Sequence, residues 1–87
     1  MRKIYRNILK QQFYRNLRHS RATGNLTQSE MAERLAMDDR SYIDLEHGKS
    51  CCSAVTLALF LAYACEDVPK FLSDLRNAIY QQIHQTV

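Results

Sequence analysis

Leu26-Thr27-Gln28-Ser29-Glu30-Met31-Ala32-Glu33-Arg34-Leu35-Ala36-Met37-Asp38-Asp39-Arg40-Ser41-Tyr42-Ile43-Asp44-Leu45-Glu46-His47-Gly48 is the stretch that decides the fold of this chain. It contains two helix starts and two helix stops. Thr27-Gln28-Ser29-Glu30 reads as a capping box, with the acid three positions after the capping hydroxyl. Leu26 and Met31 flank that start as a hydrophobic staple. Met31, Ala32 and Leu35 give the helix one buried stripe, and it runs out near Ala36. Asp38 caps a short next helix, in which Tyr42 and Leu45 point inward, three apart, while Asp39, Arg40, Ser41, Ile43 and Asp44 lie elsewhere on its surface. Gly48 stops it.

Outward from this pair, the pattern stays helical. Residues 4–22 read as a first helix, with Tyr5, Leu9, Phe13 and Leu17 recurring every four positions beside Ile4 and Ile8. Gly24-Asn25 supplies the left-handed residue that ends it. Ser53 to Ala64 reads as a fourth helix, apolar on nearly every side and therefore expected to be buried all round. Asp67 caps a fifth, with Pro69 in its first turn. Val68, Phe71, Leu72, Leu75, Ile79 and Ile83 form its stripe, and it is expected to end near His84 with a short frayed tail. Two glycines and one proline in 87 residues argue against a turn-rich β fold. The length suits one domain with a core that gains from docked extensions or a second chain.

Charge is unevenly placed. Residues 1–22 hold seven basic side chains (Arg2, Lys3, Arg6, Lys10, Arg15, Arg18, Arg21) and no acid. Residues 23–87 hold five basic groups and nine acids, a net of −4, within an overall formal charge of +3. A basic arm on an acidic body steers toward phosphates, although the same arm also reads as a solvated helix face.

Other chemistry is disfavoured. Cys51, Cys52 and Cys65 show no spacing suited to zinc, and their odd number without a secretion signal points to a reduced cytoplasm. No metal, cofactor or small-molecule ligand is expected. His19, His47 and His84 stand on separate segments. No nucleophile–base order, glycine-rich phosphate loop or paired carboxylates suggest catalytic residues, so no enzyme is expected. The longest apolar stretch is too short to span a membrane.

Phe13, Leu17-Arg18, Arg21, Leu26-Thr27-Gln28, Met31-Ala32, Leu35, Leu45-Glu46, Gly48-Lys49-Ser50, Leu57 and Phe60 occur at distances that need no insertion. This string resembles the repressor and Cro-like (XRE-type) helix-turn-helix family. The resemblance implies an all-α, five-helix repressor-like domain spanning residues 1–87. Its family-like core would be residues 13–72, with helical extensions over 1–12 and 73–87. It implies that helix three enters the major groove of double-stranded DNA while helix two crosses the backbone. Asp39, Arg40 and Asp44 would read base edges with Ser41 close by, Arg40 being suited to guanine O6 and N7. Thr27 and Gln28 would meet phosphate at the start of helix two, and His47 and Lys49 would meet it in the following loop. Arg21 and Glu46 would form a structural ion pair. The expected activity is a transcriptional regulator, acting as a repressor on a two-fold operator.

Four departures from the family pattern stand out, one being Tyr42, which sits where isoleucine or valine usually packs and whose ring can fill core space while its hydroxyl reaches water or a phosphate. Asp38, Asp39 and Asp44 make the reading helix acidic. Ala36 occupies a turn position where glycine is usual. Val55, Leu59 and Ala62 give helix four a second apolar face where polar residues are usual. That face predicts a homodimer, with Val55, Leu59, Ala62, Ile79 and Ile83 as interface candidates, or else cover by the terminal extensions. The acidic helix and surplus apolar surface also suit an alternative, a protein-interaction or antitoxin-like module on the same fold with weak or no DNA binding.

Overall fold

A computed structural model describes residues 2–85, so the expected frayed tail at residues 86–87 lies outside the described residues. Among them the chain is all-helical. Helix α1 spans Arg2–Thr23, α2 Gln28–Arg34, α3 Asp39–Glu46, α4 Ala54–Leu59 and α5 Val68–Gln85. The end of α4 continues as a π-helical turn over Phe60–Ala64.

The starts are capped by side chains. Thr27 accepts from the Glu30 N–H while Glu30 accepts from the Thr27 N–H, which completes the capping box. Asp38 accepts from the Ser41 N–H, Ser53 from the Thr56 N–H and Asp67 from the Lys70 N–H.

The stops repeat one device. Asn25, Ala36 and Gly48 have φ of 54°, 55° and 73°. Around each, two backbone N–H groups turn back onto the last helical carbonyls. The pairs are Leu26 to Arg21 and Asn25 to Ala22, Met37 to Ala32 and Ala36 to Glu33, and Lys49 to Asp44 and Gly48 to Leu45. These are Schellman motifs, and they set the angles between α1, α2 and α3.

Phe13, Phe60 and Phe71 meet edge-on at the centre of the core, with ring centroids 5.0 to 6.3 Å apart, and so tie α1, α4 and α5 together. Leu17, Met31, Ala32, Leu35, Tyr42 and Leu45 complete the core and lock the α2–turn–α3 pair against α1.

Helix four departs from its expected burial. Thr56, Phe60 and Ala64 face inward, but Val55 is 70% exposed, and Ala62 and Tyr63 are exposed with it. Among the described residues the terminal extensions do not cover this face, because α1 and α5 pack on each other instead. Leu72, expected in the buried stripe of α5, is also exposed, since the inward line runs through Phe71, Leu75 and Ile79 and Leu72 lies to one side of it.

Candidate nucleic-acid interface

The site begins with Glu46, the last residue of α3 and only 2% exposed. A carboxylate at that depth requires donors on both oxygens. Arg21 provides two, its Nε to Oε2 and a terminal nitrogen to Oε1, both at 2.8 Å. Gln28 Nε2 donates to Oε1 at 3.3 Å, and the Tyr42 hydroxyl donates to Oε2. Arg21 also donates to the Leu26 carbonyl, and Arg18 Nε donates to the Glu46 carbonyl at 3.0 Å while resting on the Tyr14 ring. One carboxylate thus holds α1, α2 and α3 together. Among the described residues, no buried side-chain polar atom lacks a partner.

Burial pushes the Glu46 carboxyl up, but the hydrogen bonds from Arg21, Tyr42 and Gln28 outweigh it and hold the group below the usual carboxylate range. Burial and the bond to Glu46 push the Tyr42 hydroxyl upward. Tyr42 is therefore a core residue whose hydroxyl is consumed inside the fold.

The outer face of α3 is open. The Arg40 side chain is 82% exposed, and its Nε lies 3.7 Å from Asp44. Asp39 accepts from the Ser29 hydroxyl at 2.6 Å, and this bond bridges α2 and α3. Ser41 donates to the capping residue Asp38. Hydrogen bonds from the Ser41 hydroxyl and N–H hold the Asp38 carboxyl below its ordinary value. Of the three aspartates at the outer face, Asp38 and Asp39 therefore have local hydrogen-bonding partners, and Asp44 sits beside the exposed arginine.

The expected DNA-contacting residues fall into two groups. Arg40, Ser41, His47 and Lys49 are exposed near α3 and its following loop, with Asp39 and the half-buried Asp44 beside them. Thr27 and Gln28 are committed elsewhere, Thr27 to the capping box and Gln28 to Glu46. The interface candidates also divide. Val55 and Ala62 stand exposed on or just beyond α4, and Leu59 packs partly against the core. Ile79 lines a groove between α1 and α5, and Ile83 lies exposed near the end of α5.

Sequence reasoning missed the α1 residues that frame this region. The Tyr14 ring lies against Gly48, where an added Cβ would sit 3.0 Å from the ring. Farther toward the start of α1, the Arg6 carbonyl accepts from the Cys51 thiol at 4.0 Å.

No group of three or more His, Cys, Asp or Glu among the described residues could hold a metal ion. No described helix is long and apolar enough to cross a membrane. Searched against models of protein families, curated proteins and solved structures, the chain matches none of them.

Proposed function

We propose that this protein is a sequence-reading DNA-binding regulator of the repressor and Cro-like kind, acting as a dimer on two-fold sites. The observation that carries this reading is the contrast between the two sides of α3. Its inner side is fixed to α1 and α2 through Glu46, whereas its outer side leaves Arg40 almost fully exposed. A rigidly held helix with an exposed arginine fork suits bidentate contact with guanine in the major groove. Gln28 takes part in the lock through its Nε2.

The dimer is assigned to the exposed apolar face of Val55, Ala62 and Tyr63, which a second copy would cover. The outer face of α3 also favours a second reading, a protein-interaction module, because Asp39 and Asp44 put carboxylates beside Arg40.

Selection from a random duplex pool tests the proposal. An enriched inverted repeat, with half-sites roughly 34–36 Å apart, supports a dimeric regulator. No enrichment, with binding that vanishes as salt rises, turns the assignment to a protein partner.

A further inference from the structure

Arg2, Lys3, Arg6 and Lys10 occupy the first turns of α1, and no acid precedes Glu30 in the chain. Among the described residues, none of the four takes part in an ion pair. Arg2, Arg6 and Lys10 follow one another at four-residue steps, a like-charge row that weakens a helix unless an anion lies along it.

Three contacts locate this row. Lys3, Lys10, Tyr14 and Arg21 are spaced i, i+7, i+11 and i+18, which places them on one face of α1. On that face Arg21 meets Glu46 and Tyr14 meets Gly48, while Arg6 meets Cys51 through its carbonyl. As the chain advances from 46 to 51, its contacts step back toward the start of α1. Lys10 therefore falls between the contacts at Gly48 and Cys51, the stretch that carries Lys49. Lys3 lies about 16 Å along the axis from Tyr14, at 1.5 Å per residue.

We propose that Lys3, Arg6, Lys10 and Lys49 form one strip that follows the sugar-phosphate backbone of duplex DNA beside the segment read by α3. This rests on the DNA-binding reading above. It resolves the difficulty of the acidic reading helix: attraction to DNA comes from the neighbouring strip, and α3 contributes discrimination. Cations about 4.5 and 6 Å apart along the helix axis suit a linear array of phosphates. The competing occupant is an acidic polypeptide seated in the groove of Tyr5, Leu9, Leu75 and Ile79, whose rim Arg2, Lys3 and Arg6 also line.

The test uses the full chain with Lys3→Gln, Arg6→Gln and Lys10→Gln combined. Binding is measured on a duplex of arbitrary sequence and on any selected duplex, between about 50 and 200 mM salt. The slope of log affinity against log salt is expected to shrink by roughly 3, close to 0.9 per lost phosphate contact, on every sequence alike. The thermal midpoint should hold or rise, because self-repulsion is relieved. If the triple variant does not fold, the Lys3→Gln, Lys10→Gln pair should shed roughly 2 from the slope. An unchanged slope in a folded variant overturns the strip. If the slope drops but the wild type enriches no sequence, the strip stands and sequence reading by α3 falls. An enriched operator bound with an arm-independent slope defeats the strip alone. Wild type that binds no duplex defeats both. Polyglutamate that displaces DNA at equal charge assigns the surface to an acidic polypeptide and also overturns the strip.

Discussion

The Arg21 guanidinium and the Glu46 carboxylate face each other as two forks, with parallel N–O distances of 2.8 Å, across 25 positions of sequence. Such a pair contributes geometry more than net stability, but removing one half leaves the other without compensation. Glu46→Ala is expected to destabilise the fold by about 3 kcal/mol, since it strands Arg21, Gln28 and the buried Tyr42 hydroxyl at once. Urea unfolding measures this, and an unchanged midpoint would remove the lock from the account.

The same carboxylate sets an acid limit. Glu46 and Asp38 titrate below their unfolded values of 4.5 and 3.8, so the unfolded chain binds protons that the folded chain refuses. Their stabilisation is fully present above about pH 4.5 and is lost as pH falls through the depressed folded values. Thermal midpoints recorded from neutrality downward should fall below that point. Glu46→Gln should flatten the fall while starting from a lower midpoint.

Two left-handed residues predict opposite responses. Ala36 is exposed at φ 55°, where its Cβ is strained without any packing in return, so Ala36→Gly should stabilise by about 0.5–1 kcal/mol. Gly48 has φ 73° and the Tyr14 ring beside it. Gly48→Ala should cost about 1–3 kcal/mol, because the strain and the ring contact add. Equal shifts in the two melts would contradict the assignment.

Arg40 separates recognition from folding. Its side chain is exposed and only loosely associated with Asp44, so Arg40→Ala should move the melting midpoint very little. On a selected operator the same change should cost about 1–3 kcal/mol and relax the base preference at one position of each half-site. Wild-type discrimination in Arg40→Ala would show that α3 does not read through this residue.

Val55 tests the dimer. At 70% exposure it contributes little to the isolated chain, so Val55→Lys should leave the melt of dilute protein unchanged while preventing self-association. Sedimentation of wild type and variant across a concentration series decides this. A wild type that stays monomeric throughout would free the face for another role.

Local chemistry made much of this fold readable. The caps at Thr27, Asp38 and Asp67 depend on side chains reaching backbone three residues away, and the stops depend on residues that tolerate positive φ. The Arg21–Glu46 pair was readable because a familiar string placed both residues. Other features depend on neighbours remote in sequence. Gln28 turns toward Glu46 because an acceptor from 18 positions away lies beside it, and Tyr42 spends its hydroxyl on the same group. Apolar character alone cannot distinguish a face buried within the chain, such as Phe71, from one left outside, such as Val55 and Leu72. Nor does a row of cations reveal which loop runs beside it.

The π-helical turn at Phe60–Ala64 carries a consequence for how this chain can vary in length. Its closing bond runs from the Cys65 N–H to the Phe60 carbonyl at 2.7 Å, five residues rather than four, so one residue is looped into the helix. Thr56, Phe60 and Ala64, four residues apart, face inward before and within this turn. Losing one residue from positions 61–63 would restore an ordinary turn and deliver Cys65 to the same carbonyl, with Phe60 undisturbed. Within helix four, that is where a related sequence could be one residue shorter and still enclose the same three phenylalanines.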